Sequence, residues 1–419
     1  MSRDSPTPPP GRRPIRRGYW WLLSATATSA VGDGLVFIAL PLLAVTLTRR
    51  PILVAGVAVA GKLPWLVISL PAGALADRVD RRRLAVTVEA LRAGVLVALG
   101  VAILTGHVSL LAVYLVACVI GGLETAFAAA TRATVPQLVD RDDLPRASSY
   151  LYTAETAGEQ FAGPARGGVL FAWARSVPFL ADAASFAGSA ALLGAGLPRG
   201  PEVHRPSTTL ADDMRVGLRW FRTHPPLQLL AVLIGTFAFC QSAVVSVLVL
   251  YGLHVLHLSS AGYGLFLAVG AAGDVLGSLT AHRVYHRLGA GRAVMAAGLA
   301  AAAGYVILAA TSQVTVAVAG YALEALGVAL GNVATMSLRY RLIPDELFGR
   351  VNNTFRMGVL SAALLGALAG GVVASLWGLH GTFLAAGVLQ LGLIALLGGR
   401  LASDLARLLP AAPAPPAVG

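Results

Sequence analysis

Residues 51–83, PILVAGVAVAGKLPWLVISLPAGALADRVDRRR, carry the pattern that decides the fold. An almost uncharged apolar run comes first, and a turn with four arginines and two aspartates follows it. A helix needs about 20 mostly apolar residues to cross a bilayer, because the hydrocarbon core is about 30 Å thick and a helix rises about 1.5 Å per residue. The stretch therefore predicts a membrane-spanning helix that ends in a charged turn at the membrane surface.

The rest of the 419-residue chain repeats this alternation of apolar runs and polar turns. The chain is 56% hydrophobic and only 12% charged, which is far more apolar than a soluble domain requires. It therefore predicts an all-α membrane protein with twelve spanning helices. The predicted spans are residues 19–47, 51–76, 84–105, 108–131, 148–173, 177–196, 227–253, 260–282, 292–311, 314–338, 355–377 and 380–399.

The basic residues indicate the orientation of these helices. Most of the 32 Lys and Arg residues lie in the N-terminal tail, in alternate loops and in the C-terminal tail. Since short cytoplasmic loops are enriched in Lys and Arg, both termini are expected in the cytoplasm. The first apolar run continues to Leu47 without a cleavage-like site, so it reads as a spanning helix. We expect a multi-pass protein of the cell (plasma) membrane.

A long polar segment separates six predicted spans from six others. The predicted organisation is a disordered basic tail (1–18), a six-helix bundle (19–196), a cytoplasmic linker (197–226), a second six-helix bundle (227–400) and a disordered tail (401–419). Within the linker, residues 210–223 have the pattern of an amphipathic surface helix. An internal repeat supports two related bundles, because GPARGG at 163–168 is echoed by GALAGG at 366–371.

The charged turn after the second span is a candidate gating motif. Its small residue allows close helix packing, and its aspartate can pair with a basic group or a helix N-terminus in one conformation. The plain alternative is a cluster of arginines that anchors the helix at the cytoplasmic surface. The residues of this motif are Gly73, Asp77, Arg78, Arg81 and Arg82.

The fifth span holds a second motif, built from glycines around one proline. Gly163, Gly167 and Gly168 give a smooth face for a neighbouring helix, and Pro164 removes one backbone hydrogen bond and bends the helix. Such a bend is expected to seal the bundle against leakage. Arg166 interrupts the pattern, which favours a position facing a cavity.

Ionisable residues inside spans are the strongest functional candidates, because a charge at the helix centre costs about 2.5–3.5 kcal/mol on insertion scales. Asp33 lies in the middle of the first span between Gly32 and Gly34. A carboxyl group kept from water can exchange a proton during transport, so Asp33 is a candidate coupling or substrate residue. Lys62, the only lysine, lies at mid-depth in the second span. The alternative role for Asp33 is a structural ion pair with Lys62 or Arg166.

Five more acidic residues fall inside predicted spans. Glu155 and Glu159 lie four residues apart and share a helix face, and Glu124 is expected to line the same half as Glu159. For each of the five, a transport role competes with simple solvation near a membrane surface. The five residues are Glu124, Glu155, Glu159, Asp274 and Glu324.

Three other charged residues are expected to be structural. Glu89 and Arg92 are placed near the inner end of the third span, and Asp182 near the outer end of the sixth as a helix-start group.

Several classes of function are disfavoured. Cys118 and Cys240 lie far apart inside apolar runs, and the histidine pairs 254/257 and 282/286 have no carboxylate cluster beside them, so no metal site is predicted. No dinucleotide or phosphate-binding glycine motif is present, so we expect no cofactor and no ATP hydrolysis. The positive charge lies between spans, which points to membrane topology and not to nucleic acid. Converging catalytic groups are lacking, so an enzyme is not expected.

Taken together, these motifs resemble the major facilitator superfamily. The stretch GALADRVDRR at 73–82 is similar to its loop signature between helices two and three, and GEQFAGPARGG at 158–168 to the fifth-helix motif associated with antiport. The resemblance covers residues 19–400. More narrowly, four segments resemble drug–proton antiporters that include macrolide and siderophore exporters. These segments are LPW at 63–65, DAASF at 182–186, GLRWF at 217–221 and IPDELFGRV at 343–351.

The resemblance implies a secondary-active, proton-coupled efflux transporter in which two bundles alternate access to a midplane site. Its partners would be a hydrophobic or amphipathic small molecule, protons and the lipid bilayer, and the default oligomeric state is a monomer. In the implied cycle, Asp33 exchanges a proton for substrate with help from Glu124 or Glu159, while the loop with Asp77 gates the inner face. The alternatives are facilitated uptake, lipid transport, and a membrane sensor or scaffold that transports nothing.

Overall fold

The computed structural model describes residues 17–198 and 218–408, except for the side chains at 69–78, 141, 290, 345, 346, 398 and 400–408. Within these ranges the chain forms twelve long helices joined by short connections. The helices are α1 (Arg17–Leu47), α2 (Pro51–Arg78), α3 (Arg81–Leu104), α4 (Leu110–Leu138), α5 (144–173), α6 (Val177–Gly196), α7 (Pro225–Val255), α8 (Ser260–Leu288), α9 (Ala290–Ala310), α10 (Val314–Leu342), α11 (345–377) and α12 (379–408).

The helices agree with the predicted all-α membrane fold. Ten described helical segments are long and apolar enough to cross a membrane, and one of them, Leu347–Leu397, contains parts of both α11 and α12. Gly378 separates these two helices with φ of 76° and ψ of 176°. A residue with a side chain rarely adopts this conformation, so glycine makes the turn possible. Of the expected linker helix, residues 218–222 are helical, and 210–217 lie outside the described ranges, as do most of both predicted tails.

Helix α5 contains a π-helical turn. Its three parts are Leu144–Thr156, the π-helical Ala157–Ala162 and Gly163–Trp173. Pro164 has no backbone N–H, so the preceding turn cannot close with the usual hydrogen bond, and a wider turn takes its place. A π-helical turn is one residue longer than an α-helical turn. Gly158 and Gly163, five residues apart, therefore lie on the same face of α5.

That glycine face packs directly on α1. A methyl group added to Gly158 would lie 2.8 Å from the Ala30 carbonyl carbon, and one added to Gly167 would lie 2.9 Å from the Leu35 carbonyl oxygen. The backbones therefore approach so closely that only glycine fits at these positions. The result is a tight α1–α5 pair around the part of α1 that carries Asp33.

The buried apolar residues show how the two halves meet. We call the membrane surface at which α1 begins and α12 ends the termini face, and the other surface the opposite face. Toward the opposite face, one continuous core contains residues of both halves, such as Leu43 and Val54 with Leu248 and Phe383. Toward the termini face, the first half has its own core and the second half has another. The halves are therefore joined near the opposite face and separate toward the termini face.

Glycines lie at two close approaches between the halves. A methyl group on Gly168 of α5 would lie 3.0 Å from the Cα of Gly264 in α8. One on Gly371 of α11 would lie 2.9 Å from the Cα of Ile52 in α2. These helix pairs form the seam between the halves, and both contacts lie near the opposite face.

Candidate functional site

The middle of the first bundle contains a buried ionic cluster. Arg92 lies at the midpoint of α3 with its side chain fully buried, and it forms an ion pair with Asp33 of α1. Its other terminal nitrogen donates to Glu89 Oε1 at 3.2 Å and to Ser29 Oγ at 3.3 Å. Ser29 also donates to Glu89 Oε1 at 3.2 Å, so these groups form one network between α1 and α3.

Aromatic rings hold the guanidinium group of Arg92 in place. Its central carbon lies 3.9 Å from the ring centroid of Phe186 in α6 and 5.9 Å from that of Phe127 in α4. A cation over an aromatic face is attracted to the ring, most strongly away from water. Four helices therefore position this one cation.

The acid groups around Arg92 outnumber it. Asp182 of α6 is fully buried, accepts a hydrogen bond from Ser185 Oγ at 2.8 Å and interacts with both Asp33 and Arg92. Asp33 and Glu89 thus share a single guanidinium group, and the buried Asp182 lies within its electrostatic reach. One cation balances one carboxylate, and an unpaired buried charge is very costly. The cluster is therefore suited to holding protons on some of its acids.

Three more acids extend this cluster along α4 and α5. Glu124 interacts with Asp33 and Arg92, and the indole N–H of Trp65 faces its carboxyl group. Glu159 lies near Glu124 and Asp33, as the sequence predicted for Glu124 and Glu159. Glu155, half-buried, lies between Arg132 and this group. The tight α1–α5 packing explains why acids on α5 approach Asp33.

The partner of Asp33 differs from the expected one. The sequence suggested Lys62 or Arg166, whereas Asp33 pairs with Arg92. Lys62 instead donates to Ser242 Oγ of α7 at 2.9 Å, across the seam between the halves. Arg166 is exposed and shares a helix face with the exposed Val169 and Trp173, away from the acid cluster.

Arg92, Glu89 and Asp182 also differ from their expected places. Arg92 and Glu89 are in the centre of α3 and belong to the cluster, because α3 begins at Arg81 and Arg92 is therefore halfway along it. Asp182 does not start α6, which begins at Val177, and it is buried in the bundle. One feature of the sequence could have indicated this cluster. Glu89 and Arg92 lie three residues apart within an apolar run, and charged groups at that depth need further partners on another helix.

The predicted gating motif is described only in part. Gly73, Asp77 and Arg78 fall in the stretch 69–78, for which the structure describes the helical backbone only. Arg81 Nη1 donates to the Ala133 carbonyl oxygen at 2.7 Å, and Arg82 donates to the Gly194 carbonyl oxygen. Both acceptors are near helix C-termini, where a cation is favourable. The two arginines therefore tie the start of α3 to the ends of α4 and α6.

The first residues of α3 are fixed by Asp80. Its side chain accepts hydrogen bonds from the backbone N–H groups of Arg82 and Arg83 at 2.9 and 3.1 Å. These N–H groups have no partner within the helix, so Asp80 acts as the N-cap.

The second bundle has a buried acid of its own. Glu324 of α10 is 2% exposed and accepts a hydrogen bond from the Tyr305 hydroxyl group of α9 at 3.0 Å. Asp274 of α8 is the nearest other acid. Among the described side chains, no basic group forms an ion pair with Glu324. This pair is separate from the cluster around Arg92.

A small cavity lies away from both acid sites. It is about 60 Å³, lies between α7, α11 and α12, and is lined by apolar or small residues such as Phe239, Ala369 and Leu389. This volume is too small for an amphipathic substrate. The ionic cluster and the gap between the halves are therefore the better candidate site.

Twelve apolar helices in two halves, with acids buried at mid-depth, define a polytopic membrane transporter. The family model described as "Transmembrane secretion effector" matches residues 10–413, and the chain belongs to this family of major facilitator transporters. No curated protein sequence matches the chain.

Solved transporter structures share the fold. A bacterial homologue of the lysosomal transporter Spinster, inward-facing and unoccupied, has a TM-score of 0.74 at 14% identity, covering 94% of this chain and 99% of its own. The nucleoside transporter NupG has a TM-score of 0.73 at 12% identity, with 91% and 98% covered. A bacterial homologue of the iron transporter ferroportin, in an inward-facing state, has a TM-score of 0.70 at 17% identity, with 90% and 98% covered. At these identities the likeness concerns the fold.

Proposed function

We propose that the protein is a proton-coupled exporter of hydrophobic or amphipathic small molecules. The observation that carries this proposal is the cluster in which Asp33 and Glu89 share the one guanidinium group of Arg92, with the buried Asp182 nearby. Such a cluster must hold protons when it is closed to water, and it can release them when one side opens. Proton exchange at mid-depth is the property that an antiporter needs.

The proposed cycle uses the two halves as rigid bodies. With the gap open to the termini face, substrate enters between the bundles, and Asp33 loses its proton with help from Glu124 or Glu159. The halves then rock about the seam, and substrate leaves at the opposite face as a proton enters the cluster. The loop with Asp77, with Arg81 and Arg82 anchoring its neighbour α3, would control closure at the termini face.

The remaining assignments follow from this cycle. With the termini in the cytoplasm of a cell whose plasma membrane holds the protein, the gap in this structure faces inward. The predicted halves, 19–196 and 227–400, each form a complete six-helix unit in the proposal, so one chain suffices for transport. Lys62 contacts the second half and is a candidate substrate residue.

Facilitated uptake or lipid movement is the main alternative. It would use the same gap between the halves and would need no proton exchange in the cluster. A sensor or scaffold would bind a ligand without moving it, and buried acids around Arg92 would then serve only stability.

Transport in proteoliposomes separates these functions. The purified protein would be offered a panel of lipophilic antibiotics and dyes that includes acidic, neutral and cationic members, with and without an imposed pH gradient. We expect accumulation of at least one member that requires the gradient and stops when nigericin collapses it. Equal movement with and without the gradient would contradict proton coupling, and binding without movement would support a sensor.

A further inference from the structure

The gap between the halves carries positive charge that has no acidic partner. Lys62 of α2 is half-buried, and its Nζ has a neutral hydroxyl, Ser242 Oγ, as its hydrogen-bond partner at 2.9 Å. Among the side chains that the structure describes, no carboxylate lies within ion-pair distance of it. A buried ammonium group with a neutral partner is costly, because a hydroxyl group cannot offset its charge.

A second cation from the other half lies beside the same face of α2. The guanidinium carbon of Arg356 in α11 is 5.6 Å from the ring centroid of Trp65, which is one helical turn from Lys62. Arg356 also forms no ion pair with a described side chain, and the nearest charge that acts on it is the like charge of Arg132. Each of the two cations therefore lacks an acidic partner among the described side chains.

The acids of the first bundle do not neutralise these groups. Glu124 faces the indole N–H of Trp65 and interacts with Asp33 and Arg92, and not with Arg356 or Lys62. Glu155 interacts with Arg132 and not with Arg356 or Lys62. The acids of the first bundle therefore pair with Arg92 and Arg132 and leave Lys62 and Arg356 without an acidic partner in the described part of the chain.

We propose that Lys62 and Arg356 bind the anionic group of an amphipathic substrate, so that the transported class is organic anions with an apolar body. The cations come from opposite halves and both lie beside the face of α2 that carries Lys62 and Trp65, and in the proposal one anion contacts both. The apolar body would lie along Trp65 and the small residues of α2, such as Gly61. The proposal rests on the proposed function only in taking the ligand to be the transported molecule.

Equilibrium binding of a matched pair of probes tests this site without any gradient. The probes are 11-(dansylamino)undecanoic acid and its methyl ester, which differ in one negative charge at neutral pH, and the full chain is studied in detergent or nanodiscs. We expect the acid to bind about tenfold more tightly than the ester, as a charge-assisted contact allows. Lys62→Gln and Arg356→Gln should each reduce this preference about fivefold, whereas Lys62→Arg should retain most of it.

A control variant and a folding check make the result decisive. Arg175→Gln removes an exposed positive charge at the opposite face and should leave the preference unchanged. Thermal unfolding and size-exclusion chromatography show which variants are folded. If Lys62→Gln does not fold, wild type, Lys62→Arg and Arg356→Gln still decide the question. Equal binding of acid and ester, or an unchanged preference in the folded glutamine variants, would overturn the proposal.

Competition identifies the source of the anion. The same two cations would bind the carboxylate of a free acid or the phosphate of an anionic lipid. Displacement of the acid probe by decanoate alone assigns the site to free acids, and displacement by dihexanoyl phosphatidylglycerol but not by dihexanoyl phosphatidylcholine extends it to anionic lipids. If neither decanoate nor the anionic lipid displaces the acid probe, the proposed site is contradicted. A failure of proton coupling would leave all these binding results unaffected.

Discussion

Arg92 forms an ion pair with Asp33 across the α1–α3 contact, and both groups are shielded from water at mid-depth in the first bundle. The guanidinium group is fully buried and the aspartate side chain is 16% exposed. Asp33 is therefore the more accessible member of the pair. This asymmetry is why the proposed cycle assigns proton exchange to Asp33 and a fixed charge to Arg92.

Removing Arg92 should destabilise the protein strongly. Arg92→Met leaves Asp33 and Glu89 without a cation, and breaking a buried pair typically costs about 3–5 kcal/mol. We expect a large loss of thermal stability in detergent. Replacing all three, with Arg92→Met, Asp33→Asn and Glu89→Gln together, should recover most of it because the two acids that bond to Arg92 are neutralised along with it. Equal loss in the single and triple variants would mean that the charge balance of the cluster is not the cause.

Arg92→Lys offers a finer test of the same site. Lysine keeps the charge but cannot bond Asp33 and Glu89 in the same planar geometry or stack on Phe186. We expect intermediate thermal stability, between wild type and Arg92→Met. A lysine variant as stable as wild type would show that the ring contact at 3.9 Å adds little.

Valine at Gly168 should separate the halves near the opposite face. Its added atoms would meet the Gly264 backbone, which lies 3.0 Å from the position of a methyl group. We expect a longer distance between spin labels at Thr105→Cys and Ser312→Cys, measured by double electron–electron resonance after Cys118 and Cys240 are changed to serine. Gly188→Val is the control, since nothing lies within 4 Å of its added methyl group. Equal distance distributions in both variants would contradict the assigned seam.

Substitutions at Asp80 should distinguish helix capping from a charge effect at the start of α3. Asp80→Ala removes the acceptor for two backbone N–H groups and should cost about 1 kcal/mol of stability. Asp80→Asn keeps an acceptor oxygen and should stay close to wild type in thermal unfolding. If the asparagine variant were as unstable as the alanine variant, the negative charge beside Arg82 would be the important property.

The second bundle's acid should behave differently from those around Arg92. Glu324 has a hydrogen-bond donor in Tyr305 and no basic partner among the described side chains, so a neutral acid fits the site. Glu324→Gln should therefore leave thermal stability and gradient dependence near wild type. Tyr305→Phe should lower stability by about 1–3 kcal/mol, the usual cost of leaving a buried polar group without its partner. Loss of gradient dependence in Glu324→Gln would place a coupling site in the second bundle.

The sequence was sufficient for the helices because hydrophobic length is a local property. The run predicted at 51–76 is the helix Pro51–Arg78, and the run at 314–338 is Val314–Leu342. The differences arise at the termini face, where helices continue beyond the apolar run into charged residues. Glycine and proline marked α5 correctly as an unusual helix, but the sequence predicted a bend at Pro164 and not the π-helical turn that precedes it.

Only some acids of the site were predictable: Asp33, Glu124 and Glu159 were candidates, whereas Glu89 and Asp182 were expected to be structural. A charge inside a span shows that a partner is required, but the partner's identity depends on how four helices are rotated about their axes. Hydropathy does not fix that rotation, so Asp33 was matched with Lys62 or Arg166 and not with Arg92. For the same reason, the contact between Lys62 and Ser242 across the halves had no signal in the sequence.

Proton movement driven by substrate is the most direct test of coupling. Proteoliposomes containing pyranine would receive a pulse of a transported compound with no initial pH gradient, for wild type, Asp33→Asn and the exposed control Arg175→Gln. Wild type and Arg175→Gln should show a pH change inside the vesicles that follows substrate movement, and folded Asp33→Asn should bind substrate without it. Substrate movement by wild type with no pH change, or an undiminished pH change in Asp33→Asn, would contradict the proposed role of the Asp33–Arg92 cluster.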